Sequence, residues 1–307
     1  MSKIPWTEKV WDVTGGCTQC EAGCANCWAL DSVWRLSHAG QKKYQGLVKK
    51  HKKRNKLYWT NKIKLYEDWL DASLKRRKPT TYFVNSKSDL FHPSVPFEYI
   101  DKVHAVIALC PQHTFQILTK RIERAAGYYN AMYKGSRLLG ERQMKIDRMV
   151  HRLMITNAFD YADGVFHPFK NLWLGTSIST QEDADKNIPI LLQIPAAVRF
   201  VSLEPMLESV NLRLLEGHNI SGRSSIDGRP CTRNLDTGSM IHQVIIGCES
   251  GPKARLCDIE VIRDAVRQCK DAGVPCFVKQ VPVNGKCSKK PAEWPEDLRI
   301  QDYPCVT

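Results

Sequence analysis

Short apolar runs alternate along this chain with longer stretches of helical period. That alternation restricts the fold to repeated strand and crossover-helix units around a parallel sheet. Thr81–Val84, Thr114–Leu118, Asn171–Gly175, Val198–Ser202, Gln243–Gly247 and Pro275–Lys279 read as strands, and Lys9–Val13 as the strand before them. Helices are expected at about Cys24–Ser37, Asn61–Lys75, Tyr99–Leu109, Thr180–Leu192 and Ile259–Ala272. The last of these ends in Asp-Ala-Gly-Val-Pro, a glycine stop ahead of a strand. With 307 residues, 43% of them hydrophobic, the chain can build a single domain over 1–307. The expectation is an α/β fold, a full or partial (β/α) barrel with inserted loops and helices.

Three insertions interrupt the alternation. One, at about 40–60, is basic. A helical one at about 122–168 carries Arg137, Arg142, Lys145, Arg148 and Arg152. A third at about 213–241 is rich in Gly, Ser and Asn and has the length of a substrate lid or binding loop, with a disordered insert as the alternative.

Polar residues gather where the strands end: Asn85-Ser86, Thr119-Lys120-Arg121, Thr176-Ser177, Glu204, Glu249-Ser250 and Lys279-Gln280. In a βα barrel these ends and the loops after them form the active face. Each could also be a solvated strand end or a helix cap, a job within reach of Asp89, Ser177 and Glu249. Lys279 ends an apolar strand, where an ammonium needs a partner such as Glu204, Glu249 or a substrate anion. His92 follows Leu-Phe and suits a packed imidazole as well as a catalytic one.

Cys17, Cys20, Cys24 and Cys27 fall within eleven residues of a glycine-flanked segment after the first strand. Three thiolates this close can hold three corners of a [4Fe–4S] cube and leave one iron open, the arrangement that binds and reductively cleaves S-adenosylmethionine. Cys20, Cys24 and Cys27 give C-x3-C-x2-C, while Cys17, Cys24 and Cys27 give C-x6-C-x2-C. A structural zinc site using all four, or a disulfide pair, has the same ingredients. Cys110, Cys248 and Cys276 lie in apolar runs and read as small core residues. Cys248, Cys257, Cys269, Cys276, Cys287 and Cys305 are too scattered in sequence to make a second cluster motif.

The formal charge is +13. Lys42, Lys43, Lys49, Lys50, Lys52, Lys53, Arg54 and Lys56 crowd one short stretch, with Tyr44, Tyr58 and Trp59 beside them. Cations interleaved with aromatics suit phosphates and stackable bases, which marks Lys49, Lys50, Lys52, Lys53 and Arg54 for nucleic-acid contact. A solvated basic helix is the plainer alternative. No run of about eighteen apolar residues exists, so no membrane span is expected. MSKIPWTEKVWD lacks the apolar core of a secretory signal, and twelve cysteines without one suit a reducing, cytoplasmic setting.

Beyond single motifs, the segments WDVTGGC (Trp11–Cys17), GCANCW (Gly23–Trp28), NSKSDLFH (Asn85–His92) and FQILTKR (Phe115–Arg121) form a recognisable set. It continues with NLWLGTS (Asn171–Ser177), VRFVSLEP (Val198–Pro205), VIIGCESG (Val244–Gly251) and AGVPCFVKQ (Ala272–Gln280). Together they resemble the phage-associated three-cysteine proteins of the radical-SAM superfamily, over nearly the whole chain. The C-x3-C-x2-C spacing is the one usual in that superfamily, whereas the three-cysteine family looks like C-x6-C-x2-C. The resemblance therefore implies Cys17, Cys24 and Cys27 as ligands, with Cys20 as alternate first ligand. The chain departs from the family at Asp12, where Asn is usual, at Cys248 within a usual Gly-Gly-Glu-Ser-Gly run, and at Val281, where Trp is common.

The resemblance implies a radical-SAM barrel with a [4Fe–4S] cluster, S-adenosyl-L-methionine and a flavodoxin- or ferredoxin-type electron donor. Ser86, Ser88 and Asp89 would face the methionyl amino group, and Thr119 with Lys120 or Arg121 the carboxylate. Thr176, Ser177 and Glu204 would face the ribose. Glu249, Lys279, His92 and Arg121 are candidates at the substrate. Some relatives accompany enzymes that hypermodify thymine in phage DNA. The implied reaction is therefore an isomerisation, such as O-glycyl to C-glycyl thymine, in the cytoplasm of an infected host, protecting viral DNA from restriction. RNA, a nucleotide or a peptide is the alternative substrate, and a zinc-dependent nucleic-acid-binding protein is the alternative of another class.

Overall fold

The computed structural model describes residues 4–133, 145–146, 148–150, 169–212, 240–251 and 253–304. The expected lid at 213–241 lies almost wholly outside them, as do Arg137, Arg142 and Arg152. The chain divides into two compact units. One is Met1–Cys20, Cys27–Trp173 and Pro195–Ala197; the other is Glu21–Asn26, Leu174–Ile194 and Val198–Thr307. Each is mixed α/β; the first combines parallel strands with two small antiparallel pairs, and the strands of the second are mostly parallel.

The first unit holds β1 (Lys9–Trp11), β2 (Thr14–Gly15), β3 (Val48–Lys50), β4 (Leu57–Trp59), β5 (Lys64–Leu65), β6 (Thr81–Val84) and β7 (Thr114–Thr119). It also holds the start of β8 (Leu172–Ile178). β6 lies parallel to both β1 and β7, with Val10 opposite Phe83 and Phe83 opposite Gln116. The helix Phe97–Ala108 makes the crossover from β6 to β7, and Ile122–Tyr133 follows β7. Trp11, Tyr82 and Phe115 pack ring on ring over these strands. Burying each such side chain contributes about 1.5–3 kcal/mol.

The second unit continues β8 and adds β9 (Val198–Leu203), β10 (Gln243–Gly247), β11 (Cys276–Val283) and β12 (Lys286–Ser288). β9, β10 and β11 are parallel, and β12 returns antiparallel to β11. The helix Gln181–Leu192 opens with a capping box in which Thr180 and Asp183 satisfy each other's backbone N–H. The helix Ile259–Ala272 is capped by Asp258 and stops at Gly273, whose φ of 68° is the left-handed conformation a glycine terminus needs.

Three expectations change. Asn61–Lys75 is not an α-helix: Lys64–Leu65 is drawn into antiparallel pairing with Thr14–Gly15, and only Glu67–Ala72 turns, as a 3-10 helix. The helix after the cysteines starts at Trp28 rather than Cys24, because Ala22–Cys24 forms a separate 3-10 turn and Cys27 takes the N-cap position. β11 runs past Lys279 to Val283 and β8 past Ser177 to Ile178, so Lys279, Thr176 and Ser177 lie inside strands and not at their ends.

Candidate functional site

In the first unit, the cysteine segment leaves β2 through two glycines with no room for a side chain. A Cβ on Gly15 would lie 1.9 Å from the Tyr66 hydroxyl. One on Gly16, which has φ +89°, would lie 2.1 Å from the Lys62 carbonyl. Cys17 follows at once. Both Cys17 and Cys27 pack against a core cluster that includes Ala29, Leu30, Val33 and Trp59. Cys24 is buried and Cys20 exposed, and none of the four is in a disulfide.

Arg121, just past β7, gathers that segment to the strand ends. Its Nη1 donates to Asp89 Oδ2 at 2.9 Å and lies 3.8 Å from Cys17 Sγ. Its Nη2 donates to the carbonyl and hydroxyl of Thr18 at 2.8 and 3.0 Å. Asp89 also accepts from Phe91 N, Thr119 Oγ1 and Lys120 N, so both its oxygens are engaged within the protein. Burial works against the Arg121 cation, but Asp89 and then the Cys17 and Cys20 sulfurs overcome it and raise its pKa. Burial, with Asp89 adding to it, pushes the Cys17 thiol up to about 12, against the pull of Arg121. His92 meets Thr18 through Nε2 at 3.0 Å and accepts from Ser94 N at Nδ1. Burial, then Arg121, lowers its pKa and keeps the imidazole neutral.

A second hub of this unit is Asp12, noted in the sequence only as a departure from Asn. Its Oδ1 accepts from Ser86 N and Oγ, and its Oδ2 from Lys87 Nζ at 2.9 Å and the Tyr44 hydroxyl at 3.1 Å. Asn85, at φ 62°, turns its side-chain oxygen onto Val13 N and Thr14 N. Ser88 donates to the Thr14 carbonyl at 2.8 Å. Ser86, Ser88 and Asp89 are thus brought to one turn, braced by the strand that leads to the cysteines.

In the second unit, Glu249 holds Arg255 through both carboxylate oxygens and accepts from Asn26 Nδ2 at 3.0 Å. Arg255 reaches the Ala22 carbonyl at 3.1 Å, so this pair clamps the 3-10 turn that carries Cys24. Burial opposes the charged Glu249 carboxylate, but the Arg255 and Asn26 bonds outweigh it and lower its pKa. Lys279 finds the partner its position demands in Glu204, which also accepts from Gln280 Nε2. Ser177 donates to the Glu204 carbonyl at 3.1 Å, and Thr176 is fully buried. Folding also gathers thiols that the sequence scatters. The Cys248 thiol faces Cys287, which raises the pKa of Cys248 and lowers that of Cys287, with Cys257, Glu204 and Lys279 near enough to act on them.

The basic segment is a hairpin rather than a basic α-helix. Lys42–Tyr44 is one 3-10 turn, and β3 and β4 form an antiparallel hairpin with an exposed tip of His51–Lys56. Lys49, Lys50, Lys52, Lys53 and Arg54 are exposed, as is Tyr58, while Tyr44 and Trp59 are buried in the core cluster. Two of the three aromatics expected beside the cations are therefore structural.

As a donor set, the loop thiols with a guanidinium against one of them suit a thiolate-held iron–sulfur cluster. Among the described residues no group of three or more His, Cys, Asp or Glu side chains is assembled to hold a metal ion, so ligation requires the loop to draw its sulfurs together. No helix among the described residues is long and apolar enough to cross a membrane. A family described as "Protein of unknown function (DUF5131)" matches residues 1–294. The chain belongs to that family. No curated protein and no solved structure matches it. Arg255, Asn26 and Thr18, which tie the cysteine segment in place, carry no sequence signal of their own. Asp12 had one, as a charge in an otherwise apolar strand end.

Proposed function

We propose that this DUF5131 chain is an iron–sulfur enzyme of the radical-SAM kind that modifies a nucleobase substituent in DNA. The observation that carries the reading is the anchoring of Cys17. Gly15 and Gly16 fix where it emerges, and Arg121 couples it to Asp89 and Thr119 at the strand ends. In this reading Cys17, Cys24 and Cys27 hold a [4Fe–4S] cluster, and Cys20 is dispensable. When bound, such a cluster supplies the electron for reductive cleavage of S-adenosylmethionine. Arg121 offsets thiolate charge beside Cys17. Asp89 fixes Arg121, the Thr119 hydroxyl and the Lys120 backbone N–H, so its role is positioning. The neutral His92 hydrogen-bonds Thr18 and steadies the segment from its other side. The basic hairpin grows from the same core cluster that Cys17 and Cys27 pack against, which favours a polyanionic substrate. The radical-SAM barrel and the thymine substituent rest on the sequence resemblance, which makes DNA bearing an aminoacylated thymine the first substrate to try.

Anaerobic purification with iron, sulfide and zinc analysis, followed by dithionite and S-adenosylmethionine, tests this. The expected result is a brown protein with about four irons that releases 5′-deoxyadenosine. Cys17→Ser should lose the iron, whereas Cys20→Ser should keep it. A colourless protein with one zinc and no iron uptake on reconstitution would overturn the reading.

A further inference from the structure

The hairpin β3–β4 has one face in the protein and one in solvent. Val48 and Trp59, paired across it, are buried, whereas the pair Lys49 and Tyr58 points outward. Its tip has a defined shape. His51 N donates to the Lys56 carbonyl at 2.8 Å, Asn55 N to the His51 carbonyl at 3.0 Å, and Arg54 N to His51 Nδ1 at 3.3 Å. Asn55 takes the left-handed φ of 51° that closes the turn. Between Asp31 and Glu67 the sequence has no acidic residue. Among the described residues no carboxylate forms an ion pair with Lys49, Lys50, Lys52, Lys53, Arg54 or Lys56. Six cations on one ribbon, with no carboxylate among the described residues paired to them, call for a polyanion.

We propose that this ribbon grips double-stranded DNA, its two strands entering the major groove and Lys52, Lys53 and Arg54 at the tip lying on phosphates. The inference deepens the nucleic-acid part of the reading above and does not depend on the iron–sulfur part. Two strands lie about 4.8 Å apart, and a two-stranded ribbon with its side chains fits a groove of about 12 Å. Single-stranded binding instead relies on exposed aromatic platforms for successive bases. Here Tyr44 and Trp59 are spent in the core, which leaves Tyr58 alone among the flanking aromatics at the surface. The ribbon is thus equipped to hold a backbone and poorly equipped to stack bases.

Fluorescence anisotropy on the intact protein, with a short labelled duplex over a range of salt, tests the proposal. Each phosphate contact contributes about −0.9 to the slope of log affinity against log salt. The variant Lys52→Gln/Lys53→Gln/Arg54→Gln should bind the duplex at least about tenfold more weakly, its slope shallower by about 2 to 3. Its circular dichroism and iron content should match wild type, since the tip is exposed and outside the core. Unchanged affinity and slope in the variant would overturn the proposal. So would binding of the single strand, or of phosphatidylglycerol vesicles, as tightly as the duplex. Because metal content is read separately, failure here leaves the iron–sulfur reading standing, and the reverse also holds.

Discussion

Arg121 reaches Asp89, Thr18 and Cys17, and its side chain and that of Asp89 are only 10% and 8% exposed. Removing one partner of so buried a pair leaves the other uncompensated, at a cost of about 3–5 kcal/mol. Arg121→Ala is expected near the lower end of that range, because Asp89 keeps three other donors. Arg121→Lys should cost less, since it keeps the charge and loses only the fork that spans Asp89 and Thr18. Denaturant unfolding of the two variants checks the order; equal stability of Arg121→Ala and wild type would show that the pair is not formed in solution. At this scale the sequence allowed a partial reading. Arg121, Asp89 and Glu249 stand out by position, as polar groups in the segments after strands, and Lys279 as a cation within an apolar run. Their pairings do not, because Glu249 could have met Lys279 as readily as Arg255, and only folding decides that Glu204 takes the lysine.

Among the elements, β8 carries Gly175 into close approach with its neighbours. A Cβ there would lie 2.5 Å from the Phe200 ring of β9. Both residues are buried, so the ring has little room to give. Gly175→Ala should therefore destabilise by about 1–3 kcal/mol, the usual cost of overpacking a core. A thermal melt reads this directly, and an unchanged midpoint would mean that Phe200 can turn aside. Strands such as β6 and β10 were legible to the residue, since continuous apolar runs between turn residues are what a doubly covered parallel strand requires. The hairpin was not. Its lysines hide any period, and what fixes it is the pairing of Val48 with Trp59 across a turn of charged residues. The segment after it failed for a related reason. Local helical spacing over Asn61–Lys75 gave way to the pairing of Lys64–Leu65 with Thr14–Gly15, a contact distant in sequence.

At the scale of the whole molecule, three histidines, His92 and His113 buried and His242 half-buried, push stability in one direction with pH. Burial is the first cause that lowers the pKa of each of His92, His113 and His242 below the free imidazole value. In two of them the neutral ring is in use as an acceptor: His92 Nδ1 accepts from Ser94 N at 3.1 Å, and His242 Nδ1 from Arg199 N at 3.0 Å. Protonation removes the acceptor and places a cation next to Arg121 or Arg199. With folded values depressed, the unfolded chain binds protons first. The stability from the neutral rings is complete above about 6.5 and is lost as pH falls through the lower folded values. The Glu249 carboxylate, also lowered, adds a loss of the same sign further into acid. The thermal midpoint should thus decline between neutral pH and mild acid, before the carboxylates titrate. His242→Asn isolates the effect, because an amide oxygen can accept from Arg199 N and has no proton to gain. That variant should show a shallower decline than wild type over the same range. A decline of equal steepness would place the acid sensitivity elsewhere than His242.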